Sequence, residues 1–211
     1  MERTRERFRE ALLAVDGVAA KRIAAEAVDP DHPLEFVEEI MVPVLEEIGA
    51  GWERGIYSLA HVYMGSRICE EISDSMLPPS PGEGPATSRI AIAVLNDYHL
   101  LGKKIVRSAL RAAGFNLLDF GRCSPEVLLE RVLENGTEIL LISVLMLQSA
   151  LDVAEFLALA EQEGIRLTVV VGGAPFRLDP ELWRRVGADA VGHSAFDALK
   201  LVRDLSGEAK S

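Results

Sequence analysis

Apolar positions recur at helical spacing through residues 1–76, and no stretch there reads as a convincing strand. Phe8, Leu12 and Val15 share one face, Val37, Ile40, Met41, Val44, Leu45 and Ile48 form a stripe, and Leu59, Val62, Tyr63, Ile68 and Ile72 form another. This spacing predicts three or four packed helices. Pro30 and Pro33 punctuate one junction, and the glycines of "GAGWERG" punctuate the next. Residues 77–88, "LPPSPGEGPATS", crowd Pro and Gly together without apolar periodicity and are expected to form a linker between two domains.

From Arg89 onward short apolar runs alternate with helical segments. The runs fall at 90–95, 116–120, 138–145, 167–173 and 188–193, and several are apolar on both faces. Strands of that kind, alternating with helices, predict an open parallel sheet covered by helices. The expected fold is therefore α/β: an N-terminal helical bundle over 1–76, then a flavodoxin-like, Rossmann-like sheet over 89–211 with five parallel strands in the order 2-1-3-4-5. In such sheets a ligand binds beyond the carboxyl ends of the strands, where the strand order reverses between the first and third strands. That topology brings Asp97, His99 and Ser143 to one crevice, although they lie far apart in the chain.

The charge balance narrows the ligand. Thirty-three acidic against 22 basic residues give a net charge of −11, which argues against a nucleic-acid backbone or an anionic membrane as main partner. Cys69 and Cys123 are the two cysteines, a usage that fits a reducing compartment without a disulfide framework. The N-terminal stretch is charged and amphipathic, unlike a secretory signal, and no apolar run is long enough to span a bilayer. A cytoplasmic location is expected.

A histidine two positions after a carboxylate, in the turn "NDYHLLG", supports three readings. His99 could be a general base oriented by Asp97, a metal ligand whose other ring nitrogen Asp97 holds, or a loop residue without a special role. The base reading lacks a nucleophile. No second histidine or cysteine lies at zinc-site spacing, so the ligand reading requires a metal already held by something else. A cofactor with its own macrocycle meets that requirement.

Asp97-x-His99-x-x-Gly102, then Ser143-x-Leu145, then Gly172-Gly173, in that order, resembles the signature of cobalamin-binding domains. The stretch "DYHLLGKKIV", which includes Tyr98, is similar to the family's D-x-H-D-x-G-K-x-I-V. The resemblance implies that cobalamin or a related corrinoid is the cofactor, bound base-off with His99 as lower axial ligand to cobalt. It implies further that Asp97 accepts a hydrogen bond from the other ring nitrogen, and that Ser143 hydrogen-bonds Asp97 or the cofactor's nucleotide tail. Gly102, Gly172 and Gly173 would let that tail pass close to the backbone. Two departures stand out: Leu100 occupies the place of the family's usual Asp, and Met146-Leu147-Gln148 stand where many members carry small hydroxyl residues. His193, at the end of the fifth run, is expected to be a surface residue.

The segment 43–72, with Ile48-Gly49, Trp52 and Gly55 as markers, resembles the helical cap that covers the upper corrin face in methionine synthase, in corrinoid subunits of methyltransferase systems and in light-sensing cobalamin-dependent regulators. Trp52 and His61 are the cap residues expected to approach the cofactor. Together these resemblances imply a methyl carrier that works between a substrate-specific methyltransferase and a second methyltransferase serving an acceptor such as tetrahydrofolate or a thiol. The rival implication is a cobalamin-based sensor of light, redox state or vitamin level. The sequence carries no sign of a DNA-binding domain or a basic surface for that role. The methyl donor, the acceptor and the oligomeric state are not legible.

Overall fold

The computed structural model describes residues 2–76 and 88–206; the expected linker, 77–88, lies outside the described residues except for its last position. The chain divides into two compact units, Met1–Pro79 and Ser80–Ser211.

The first unit is helical: α1 (Glu2–Leu13), α2 (Gly17–Ala27), α3 (Pro33–Phe36), α4 (Val42–Glu53) and α5 (Leu59–Met76). A π-turn, Val37–Met41, joins α3 to α4 without a break. Its cause is Pro43, which has no N–H to return to the carbonyl of Glu39 and would crowd it in a regular helix. The backbone widens there, Val42 N–H bonds to Val37 O, and the released Glu39 carbonyl accepts a 2.7 Å hydrogen bond from Arg5 on α1. The core takes in most of the apolar set read from the sequence. Phe8, Leu12, Val37, Ile40, Met41, Val44, Ile48, Ile68 and Ile72 are buried, with Phe8 and Phe36 meeting edge to face at 5.6 Å.

Three local expectations need correction. Gly49 and Gly51 lie inside α4, and the turn falls later, at Gly55, whose φ is +70°. Val15 leaves the α1 face for a turn of positive φ. Leu59 and Tyr63 are exposed, so only the second half of the α5 stripe packs inward.

The second unit holds β1 (Ile90–Leu95), α6 (Leu101–Ala112), β2 (Leu118–Cys123), α7 (Pro125–Asn135), β3 (Ile139–Ser143), α8 (Leu147–Gln162), β4 (Thr168–Gly172), α9 (Ala174–Leu178), α10 (Leu182–Arg185), β5 (Ala190–Gly192) and α11 (Ala195–Leu205). Among the described residues the strands form one parallel sheet in the order β2-β1-β3-β4-β5. Ile92, Leu141, Val170, Leu110, Ala198 and Val202 fill the layer under α6 and α11, while Ala93, Leu95, Ile142, Val171, Val153 and Phe156 fill the opposite layer under α7 and α8.

The second strand begins two residues later than the apolar run and continues through Gly121 and Arg122. The register with β1 slips between Ile92 and Ala93, so Phe120 is an extra residue and Gly121 takes φ +67°. Such a bulge lets a strand carry on through a polar stretch that looks like a turn in the sequence.

Candidate corrinoid site

The carboxyl end of β1 feeds a turn built around Asp97. Asp97 is 2% exposed. Its Oδ1 accepts from the backbone N–H of His99 at 3.0 Å and lies 2.6 Å from His99 Nδ1, and its Oδ2 accepts from the backbone N–H groups of Leu145 at 2.7 Å and Met146 at 3.0 Å. Leu145 and Met146 lead into α8, which has no side-chain cap of its own. Asp97 thus supplies, from another part of the chain, the anion that a helix N-terminus favours. Burial pushes the Asp97 carboxyl up, but the hydrogen bonds from His99, Leu145 and Met146 outweigh it and bring the pKa down to about 2.

An ionised carboxylate can only accept, so the His99 nitrogen facing it carries the proton and the neutral ring presents its lone pair at Nε2. That is the tautomer a metal-ligating imidazole needs. His99, beyond the carboxyl end of β1, keeps a fifth of its side-chain surface accessible, 21%.

The other expected residues distribute as follows. Val94, Ser143, Gly172 and Gly192 stand in one register row across the carboxyl end of the sheet, and two of the four have no side chain. Ser143 does not serve Asp97, whose oxygens are taken by His99 and the two amides. Its hydroxyl faces α6 instead, where a Cβ on Gly102 would come within 2.7 Å of it. A Cβ on Gly173, at φ +123°, would fall 1.8 Å from the Val144 carbonyl, and one on Gly172 would fall 2.9 Å from the Gly192 carbonyl. Gly172 and Gly173 therefore have a packing cause in the backbone itself, whereas Gly102 meets only the rotatable Ser143 hydroxyl. Leu145 contributes its backbone amide. Tyr98 is exposed, with the Arg122 guanidinium 3.6 Å over its ring. The backbone N–H of His193 donates to Asp197 in the capping arrangement of α11, so that histidine ends a strand on the surface.

Trp52 and His61 belong to the helical unit. Trp52 is 42% exposed at the end of α4. His61 Nδ1 accepts the Ser58 backbone N–H at 3.0 Å and lies 2.8 Å from Ser58 Oγ, so the first turn of α5 is capped through an imidazole. No group of His, Cys, Asp and Glu side chains able to hold a metal ion by itself occurs among the described residues. One imidazole aligned by a buried carboxylate is a donor set suited to a metal that brings its other ligands with it.

A model of the B12 binding domain matches residues 88–202, and a second B12 binding domain model matches residues 4–75. The chain belongs to the B12-binding family. Its cofactor is accordingly cobalamin or a related corrinoid. Within the family, the chain is 29% identical over 204 residues to trimethylamine corrinoid protein 1 of Methanosarcina mazei, covering 92% of this chain and 93% of that one. The structure of the Methanosarcina barkeri monomethylamine corrinoid protein matches 94% of this chain and 96% of its own, with TM-score 0.78 and 21% identity. The methanol:cobalamin methyltransferase complex of Methanosarcina barkeri contains a chain that matches over 98% of this one and 81% of its own, with TM-score 0.51 and 19% identity. These two structures share the fold.

What the sequence missed are groups without a side-chain signature: the Leu145 and Met146 amides that clamp Asp97. Asn96 carries a weaker signal: Asn is among the non-glycine residues enriched at the positive φ it adopts here.

Proposed function

We propose that this chain is a corrinoid methyl carrier in which His99 is the lower axial ligand to cobalt. The observation that carries this reading is the Asp97–His99 pair, 2.6 Å apart, with Asp97 buried and held by three backbone amides at the carboxyl end of β1. The bound corrinoid supplies the cobalt to which a methyl group is attached and from which it is passed on. The chain's own residues do the rest. Asp97 fixes the ring's tautomer, and the hydrogen bonds from His99 and from the Leu145 and Met146 amides keep Asp97 ionised. The small residues Gly102, Ser143, Gly172 and Gly173 offer the least bulk where the nucleotide tail would lie beside the sheet. Tyr98, next to His99, offers an exposed aromatic edge to the corrin.

The helical unit would serve as the cap, presenting Trp52 and His61, and the segment 77–88 would join it to the cofactor-binding domain. The partners are a substrate-specific methyltransferase and a second methyltransferase that takes the methyl group to its acceptor. The relatives' names make methylamines the first donors to assay.

The test is the ultraviolet-visible spectrum of the protein reconstituted with hydroxocobalamin and with methylcobalamin, beside His99→Ala. Stoichiometric uptake with a base-off, histidine-on spectrum that disappears in His99→Ala is the expected result. Equal spectra and equal affinity in the two proteins would overturn the ligation.

A further inference from the structure

The residue before Asp97 is fixed by hydrogen bonds of its own. Asn96 has φ +47°, a backbone state that among the described non-glycine residues it shares only with Val15. Left-handed geometry disfavours most side chains, and Asn is among the few that adopt it readily. Three separate bonds secure it here. The Asn96 N–H donates to the Cys123 carbonyl on β2 at 2.9 Å, its carbonyl accepts from Ser149 Oγ at 3.3 Å, and its side-chain Nδ2 donates to Asp152 Oδ2 at 2.9 Å. Asp152 is steadied in turn by Gln148 Nε2, 3.2 Å from its Oδ1. Ser149 and Asp152 both lie on α8, the helix whose leading amides hold Asp97.

The turn that carries His99 is therefore pinned to α8 at two adjacent residues. The Asp97 clamp fixes the carboxylate, while the Asn96 tie fixes the backbone bend from which the carboxylate and the imidazole both project. A hydrogen bond alone cannot aim a ring if the turn beneath it can swing.

We propose that Asn96 and Asp152 are positioning residues for the His99 imidazole, their bond holding the left-handed bend that sets the direction of the ring. The proposal rests on the reading of His99 as the cobalt ligand. Both residues act through His99, and neither belongs to the Asp97-x-His99-x-x-Gly102 motif.

The experiment uses full-length protein loaded with cob(II)alamin and followed by electron paramagnetic resonance, in which a ligating nitrogen splits the cobalt lines. Histidine labelled with the heavy nitrogen isotope changes triplets to doublets, so a protein nitrogen is distinguished from the cofactor's own base. Exogenous pyridine is then titrated in to displace the histidine. The wild type is expected to show label-dependent doublets. In Asp152→Ala, and in Asn96→Gly, where glycine keeps the bend without the tie, the pyridine concentration that displaces half of the histidine should fall about three- to tenfold, as the loss of one hydrogen bond predicts. Asp152→Asn, whose carbonyl can still accept from Asn96, should stay within about twofold of the wild type by the same reasoning.

A label-dependent wild type with unchanged midpoints in Asp152→Ala and Asn96→Gly would overturn this proposal and leave the ligation standing. A fall in Asp152→Asn equal to that in Asp152→Ala would also overturn it. A wild-type spectrum blind to the label would remove the ligation and this proposal together.

Discussion

Two histidines were expected to meet the cofactor, and they are wired in opposite senses. His99 Nδ1 faces the Asp97 carboxylate, so that nitrogen holds the proton and Nε2 holds the lone pair. His61 Nδ1 faces the Ser58 backbone N–H, so that nitrogen holds the lone pair and Nε2 of the neutral ring holds the proton. One outward nitrogen can donate an electron pair and the other can donate a hydrogen bond. Residue type does not separate them; what separates them is whether a carboxylate or an amide stands behind the ring. His61 can therefore offer a hydrogen bond to a neighbouring group, whereas His99 can offer electrons to a metal.

The largest expected effect comes from removing the imidazole proposed as the cobalt ligand. His99→Ala should lose the histidine-on spectrum and weaken corrinoid binding about 100-fold, at the top of the range for changes around a metal ligand, as measured by equilibrium titration.

Next comes acid. The Asp97 carboxyl in the folded chain sits at about 2, below its ordinary 3.8, so the stability it contributes is present above about pH 4 and is lost as the pH falls towards 2. Urea unfolding of the apoprotein between pH 5 and pH 2 should show a loss of about 2 kcal/mol from this group, absent in Asp97→Asn.

Asp97→Asn in the loaded protein should weaken binding about tenfold, because an amide can present its NH2 to the ring and favour the wrong tautomer. The smallest effect belongs to the other histidine. His61→Ala removes the capping contact in α5 and should leave the axial-ligand spectrum unchanged, with affinity within about twofold. A spectrum that follows His61 in place of His99 would reverse the comparison.

The architecture was legible because burial wrote it into the sequence. The run 90–95 matches β1 residue for residue, since a strand covered on both faces has no polar position to blur its ends. The run 116–120 misplaced β2, because Leu117 is buried outside the strand while Gly121 and Arg122 lie within it. Likewise, the helical stripe at Leu59 and Tyr63 was real in spacing but not in burial.

In the site, the spacing of Asp97 and His99 was enough to bring them together, because the two are joined by a local turn. Ser143 could not be assigned in the same way. Its register position follows from the sheet, but whether its hydroxyl faces Asp97 or Gly102 depends on how α6 packs, and no local pattern encodes that.

The π-turn ahead of α4 bears on how the helical unit can vary. A π-turn amounts to a single inserted residue, absorbed without breaking the helix. Each residue of an α-helix turns the chain by about 100°, and the π-turn takes up one residue more than that spacing allows, so deleting one position between Val37 and Met41 would return the segment to regular α-helix. Residues downstream, Trp52 included, would then keep the helix face they now hold, because the extra residue is taken up within the π-turn. Pro43 thus acts as a phase marker: homologous helices with and without it should carry their outward aromatic residue one position apart in alignment.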